Sequence, residues 1–197
     1  MIQPIKTVKT ELRQEYLEKR RALDPVQKKA QDTKIIQLFL SSITYRYSSA
    51  VLLYAPLKDE IDVNAISNAA LAAGKTVAYP KCNTKDNTME YRIVRDLAQL
   101  SPGALGIMEP TEECEVYDYI SNAQRDHAVC IVPGVVFDVQ GYRIGYGRGF
   151  YDRFLNRFEG VKVGLAYSDF ILKTIPRGRY DLACDVIVSE KGVRAIG

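Results

Sequence analysis

The residues best suited to chemistry lie between Val129 and Leu155, in the stretch VCIVPGVVFDVQGYRIGYGRGFYDRFL. A strand-like apolar run, Val129 to Val132, breaks at Pro133-Gly134. Gly141, Gly145, Gly147 and Gly149 follow with Arg143 and Arg148 among them, and Phe150 to Leu155 reads as the start of a helix. Glycine reaches backbone angles closed to other residues and lets main-chain N–H groups turn toward a ligand. Two guanidiniums supply fixed positive charge, and a helix N-terminus after them adds partial charge of the same sign. An acid at Asp152 then sits where a divalent cation accompanying the anion can be held. These types and spacings describe a site for nucleotide phosphates with magnesium. They do not spell the G-x-x-x-x-G-K-[ST] loop, and Phe150 stands where a dinucleotide fingerprint needs its last glycine. A glycine-rich hairpin whose arginines merely face water fits the same spacing, and residue types alone leave both readings open.

Other chemistries find less support. His127 is the only histidine and lies just ahead of a strand with no nucleophile motif nearby, so it reads as structural rather than as a catalytic base. Cys82, Cys114, Cys130 and Cys184 are scattered without a C-x-x-C pair, which argues against a zinc site or disulfide scaffold and for reduced thiols in the cytoplasm. With 197 residues, 47% hydrophobic and 26% charged, the chain has the make-up of an ordered domain, expected to span 1–197 as one α/β unit. A net charge of +3 suits an anionic small molecule and falls short of a dedicated nucleic-acid binder. No apolar run reaches membrane-spanning length and no signal peptide is visible.

The elements that must position the glycine stretch can be read in order. Ile5 to Leu23 has the period of an amphipathic helix, with Ile5, Val8, Leu12, Tyr16 and Leu23 near one face and Lys9 stacked on Arg13 on another. Arg20 and Arg21 close it where the dipole favours cations. Asp24, Pro25 and Gln27 start a second helix that runs to about Leu40. Ala50 to Tyr54 reads as a strand, Ala55 to Glu60 as the loop beyond it, and Asp62 as the cap of a helix through Ala73 that Gly74 stops. Thr76 to Tyr79 is the next strand. Strand, helix, strand with short joins implies a parallel sheet, in which ligands bind beyond the carboxyl ends of the strands. Lys81 to Glu90 reads as a polar loop, Met89 to Val94 and Val161 to Leu165 as strands, and Val186 to Val188 as the last strand. The fold class expected is a three-layer α/β domain, its mainly parallel sheet flanked by helices, with an N-terminal helical pair folding back over the cleft.

Pro133 to Asp152 closely resembles the signature of the 5-formyltetrahydrofolate cyclo-ligase family, approximately P-G-x-x-F-D-x-x-G-x-R-x-G-x-G-x-G-[YF]-Y-D. Every fixed position is met, by Pro133, Gly134, Phe137, Asp138, Gly141, Arg143, Gly145, Gly147, Gly149, Phe150, Tyr151 and Asp152. Lys9 and Arg13 match the family's N-terminal K-x-x-x-R pair. Glu60-Ile61-Asp62 resembles its folate-contacting glutamate, Gly106 to Pro110 its G-I-x-E-P segment, and Pro176, Asp181 and Asp185 its P-x-x-x-x-D-x-x-x-D pattern.

The resemblance implies ATP- and magnesium-dependent cyclisation of 5-formyltetrahydrofolate to 5,10-methenyltetrahydrofolate in a monomeric cytoplasmic enzyme. It assigns ATP to Lys9, Arg13, Arg143, Gly145, Tyr146, Gly147, Gly149, Phe150, Tyr151 and Asp152; Arg148, where the family varies among glycine, lysine and arginine, is expected to strengthen the phosphate contact, and Arg148 and Tyr151 are expected nearest the chemistry. It assigns the folate to Ala55, Glu60, Phe150 and Tyr151, and Mg2+ to Asp152 and Asp181. Three departures bear on the second substrate: Phe170 stands where the family usually has glutamine, Arg179 where it has an acid, and Tyr180 where it often has histidine. They motivate two alternatives, an ATP-dependent enzyme acting on another pterin or small acid, and a catalytically silent nucleotide-binding regulator.

Overall fold

The computed structural model describes residues 4–103 and 106–196. Helix α1 (Ile5–Arg21) is followed by α2 (Pro25–Ser41), whose start is fixed as its sequence implies: the Asp24 carboxylate accepts from Gln27 N at 2.9 Å, with proline in the first turn. A short α3 (Ile43–Tyr47) leads into β1 (Ala50–Leu52). Helix α4 (Asn64–Ala72) begins one residue later than expected, because Asp62 accepts from Asn64 N and leaves Val63 in the cap position. Gly74, at φ +70°, ends the turn after it.

The polar stretch from Lys81 to Glu90 is not the expected loop. Strands β2 (Thr76–Asn83) and β3 (Thr88–Ile93) form an antiparallel hairpin through it. Pro80 is tolerated because β1 has ended opposite Ala78 and β2 has no second neighbour beyond that point. Strands β4 (Leu100–Pro102) and β5 (Met108–Pro110) make a separate ladder, and α5 (Tyr119–Asn122) precedes β6 (Val129–Val132). Then come β7 (Val136–Asp138), β8 (Arg143–Ile144), α6 (Phe150–Leu155), β9 (Val161–Leu165) and β10 (Ile171–Leu172). The chain closes with β11 (Val186–Ser189) and β12 (Gly192–Ala195), a hairpin whose last strand was not expected. Strand β12 is exposed along most of its length, so no buried face marks it in the sequence.

The main sheet runs β12-β11-β9-β6-β1-β2-β3, with five parallel central strands and an antiparallel strand at each edge. Its strands β1, β6 and β11 are buried throughout, as a helix-covered parallel sheet requires. Val51, Leu53, Val129 and Ile131 face a core with Ile35 and Phe39 of α2, while Ala50, Leu52, Cys130 and Val132 face one with Phe154 and Phe158. On the second face Tyr91, Tyr119, Phe154 and Phe158 pack ring to ring, with centroids 4.6–6.5 Å apart.

The chain leaves β1 toward β2 on one side and later builds β6, β9 and β11 on the other, so the direction of winding reverses between β1 and β6. Such a reversal splays the two connecting loops and opens a crevice at the strands' carboxyl ends. The expected N-terminal helical pair is present, and its two members do different work. Helix α2 buries Ile35, Ile36 and Phe39 against the sheet, and α1 alone carries side chains into the crevice. Among the described residues no helix is long and apolar enough to cross a membrane.

Candidate active site

The glycine stretch starts as the hairpin β7–β8, with Val136 opposite Ile144 and Phe137 opposite Arg143. Asp138, fully buried, ties its turn by accepting from Gln140 N, Tyr142 N, Ile175 N and Arg177. The hairpin reading was therefore half correct. Its consequence holds for Arg148, which is exposed, but not for Arg143, which is buried. Beyond β8 the chain turns at Gly147 (φ +92°) and Gly149 (φ +75°), angles that L side chains rarely adopt. A Cβ at Gly147 would come within 3.2 Å of the Arg13 guanidinium, so that glycine also permits α1 to lie against the loop.

A cleft of about 560 Å³ runs along this loop, within the usual range for a small-molecule site. Its lining includes every residue implied for ATP, the folate and magnesium: Lys9 and Arg13 from α1, the whole segment Arg143 to Asp152, Asp181, and Ala55 and Glu60 beyond β1. Residues far apart in sequence are thus assembled at the place where the winding reverses.

The charges differ in how they are committed. Arg13 Nε donates to Gly145 O at 2.6 Å, fastening α1 to the loop. Arg143 donates to Leu182 O at 3.1 Å and to Asp152 Oδ1 at 2.9 Å, and it lines the cleft. Lys9 pairs with Asp181, which also accepts from Gly178 N at 2.6 Å. Arg148 is exposed and its guanidinium has no hydrogen-bond partner among the described residues. Helix α6 has only six residues, so side-chain charge outweighs the dipole expected from its N-terminus.

Among the described residues no three His, Cys, Asp or Glu side chains gather as a metal cage. The donor set fits magnesium in another way. Asp152 Oδ2 and Asp181 Oδ1 make no hydrogen bond within the described residues, and magnesium is commonly held by one or two carboxylates with phosphate and water completing its shell.

The opposite wall is less charged and more enclosed. Glu60 is buried, accepts from Leu57 N at 2.9 Å, and has its carboxyl pushed above the ordinary range chiefly by burial. Tyr54 donates to Ile61 O at 2.9 Å. Tyr151 lies 3.5 Å from the Tyr91 hydroxyl, and burial holds its phenol protonated, which makes it a hydrogen-bond donor rather than a base. Phe150 is buried in the aromatic core on the sheet's second face, with part of its surface toward the cleft.

Phe170 does not line this cleft. It packs edge-on against Tyr16 and Tyr167 at 5.4 and 5.6 Å, so its departure from the family pattern changes the core behind the site rather than a contact in it. Arg179 and Tyr180 are exposed and also outside the lining, and His127 sits in an exposed turn at φ +45°. Asp185 is occupied by Lys162. One participant was misread from sequence. Arg20, taken for an end-of-helix cation, is buried and bonded to Tyr146 and Gly134. Its signal was the spacing: eleven residues beyond Lys9 is about three helical turns, which puts it on the same stripe as Lys9.

The model of the 5-formyltetrahydrofolate cyclo-ligase family matches residues 5–190. The chain is 28% identical over 196 residues to a Caenorhabditis elegans protein named probable 5-formyltetrahydrofolate cyclo-ligase, covering 94% of each. The solution structure of Aquifex aeolicus 5,10-methenyltetrahydrofolate synthetase aligns with a TM-score of 0.83 and 38% identity, covering 96% of this chain and 93% of that one. A Mycoplasma pneumoniae synthetase, at 24% identity and a TM-score of 0.72 over 92% of this chain and 98% of its own, shares the fold. With its signature intact and residues 5–190 matched, the chain belongs to the 5-formyltetrahydrofolate cyclo-ligase family.

Proposed function

We propose that this chain couples ATP hydrolysis to closure of 5-formyltetrahydrofolate into 5,10-methenyltetrahydrofolate, releasing ADP and phosphate. One observation carries the reading: four cations, the glycine-loop backbone and two aspartates share a cleft with the buried Glu60 and Glu109 and a neutral tyrosine. A formamide oxygen is a poor leaving group. Attack of that oxygen on the γ-phosphoryl group turns it into a good one, and the neighbouring amine then closes the ring and expels phosphate. Such a transfer depends on alignment and charge neutralisation more than on a strong base, which agrees with a lining that contains no histidine.

Each residue has a task in that scheme. Arg148, uncommitted in the free protein, meets the charge being transferred; Lys9 and Arg13 reach the phosphates from α1, and the backbone of Gly145, Tyr146, Gly147 and Gly149 lines them. Asp152, steadied by Arg143, and Asp181 would hold magnesium, which when bound shields the phosphate charges. Ala55, Glu60 and Phe150 form the pterin side, where Tyr151 donates to the formyl region.

The test is direct. Protein mixed with MgATP and 5-formyltetrahydrofolate should develop methenyl absorbance and release one ADP per product. Absence of ADP release that depends on the folate would remove this reading. Arg179 lies outside the cleft, while Phe170 lines a small cavity behind Tyr54 and Glu60, so turnover with a different pterin is the comparison that separates the two enzyme readings.

A further inference from the structure

Arg20 is a charged side chain only 5% exposed, and among the described residues it has no carboxylate partner. Its Nη1 donates to Gly134 O at 3.1 Å and its Nη2 to the Tyr146 hydroxyl at 2.5 Å, while its Nε has no partner. A cavity of about 20 Å³, room for one water, lies beside it and is also lined by Tyr54, Glu60, Gly134 and Tyr167. Burying a guanidinium on neutral acceptors is a poor way to stabilise a fold, because the lost hydration is not recovered and an apolar side chain commonly serves as well.

The partners show what the arrangement does. Gly134 follows β6 at the point where the sheet reverses its winding, and Tyr146 lies in the glycine loop. Tyr146 is 43% exposed, and its ring centroid lies 5.9 Å from the Arg20 guanidinium carbon. Helix α1 grips the cleft along one stripe, with Lys9 on Asp181, Arg13 on Gly145 O and Arg20 on Tyr146. The first two contacts lie among the groups assigned to phosphate. The third ties Tyr146 of the loop, through Arg20, to Gly134 O at the end of β6, beside the small cavity that Glu60 also lines.

We propose that Arg20 is a positioning residue for the reaction: acting through the Tyr146 hydroxyl, it fixes the glycine loop to α1 and to the turn after β6 so that the phosphate-binding groups are aligned with the second substrate. This rests on the reading of the cleft given above. A fork that holds a loop at fixed distance acts on alignment, to which turnover is sensitive on the scale of one ångström.

The experiment uses Arg20→Lys, which keeps the charge and removes the fork, Tyr146→Phe, which removes the oxygen it holds, and the double variant. Each single change should lower kcat per folded molecule by about 10-fold or more at saturating substrates, with the thermal midpoint within about 3 °C of wild type. The double variant should fall no further than the worse single one. Amide exchange at residues 145–149 in the ligand-free protein should quicken in all three. Unchanged kcat and exchange in either single variant, or losses that multiply in the double, would overturn the proposal. If Arg20→Lys does not fold, Tyr146→Phe, at a largely exposed position, decides the matter alone. A wild-type protein without turnover would instead sink the reading of the cleft, and the exchange measurement would still decide whether Arg20 sets the loop.

Discussion

On the glycine-loop wall, Arg148 is exposed and unpartnered among the described residues, and Asp152 and Asp181 each keep one carboxylate oxygen free of hydrogen bonds. On the wall beyond β1, Tyr54 and Glu60 are buried and each is tied to the backbone of its own loop. Spare bonding capacity on one side suits groups that must exchange partners when phosphate and magnesium arrive. Committed groups on the other suit a flat, mostly apolar ring that needs a fixed surface. Burial on one wall and exposed charge on the other thus divide the cleft, with Arg20 bonding Tyr146 of the loop to Gly134 O beside the cavity that Glu60 lines.

Four changes would break or sharpen that contrast. The largest effect should come from behind the committed wall. Phe170→Ala removes a ring packed on Tyr16 and Tyr167 and should cost about 3–5 kcal/mol in denaturant unfolding. An effect on substrate choice with stability intact would mean that Phe170 reaches the cleft after all. On the open wall, Arg148→Ala should lower turnover by ~100-fold or more at saturating ATP while leaving the thermal midpoint unchanged, since the side chain is exposed and unbonded. Near wild-type turnover would strike it from the chemistry.

Gly147→Ala comes next. It strains a residue at φ +92° and crowds Arg13, so KM for ATP should rise by about 10-fold with KM for the folate little changed. Equal rises in both would show that the walls do not act separately.

The smallest effect is a pH-dependent one at Glu60. Burial raises its carboxyl above the ordinary 4.5, so the folded state favours the protonated form. The stability this group contributes is complete below that ordinary value and is lost as pH rises through the raised folded value. Glu60→Gln keeps an acceptor for Leu57 N without acquiring charge. Its thermal midpoint should exceed wild type by about 1–3 °C near pH 8, with the gap closing toward about pH 4. A gap that widens in acid would contradict the assigned direction.

Much of this molecule follows from local spacing. The glycines with Arg143 and Arg148, the Lys9–Arg13 pair, the Asp24-Pro25 helix start and the β1–α4–β2 unit depend on backbone angles and side-chain period, which neighbouring residues fix. The sequence also marked which acids and cations could meet phosphate. It could not say how they would be spent. That Arg143 is taken by Asp152, that Arg20 is buried on Tyr146, and that Phe170 stands behind the site depend on approaches between segments scores of residues apart. The hairpin through Pro80 escaped notice for a related reason, since a proline and a polar run look like a loop until the neighbouring strand is seen to have ended. Residue types and periodicity settle what each segment can offer; burial and the competition among partners, which exist only once the segments have packed, settle what each side chain actually holds.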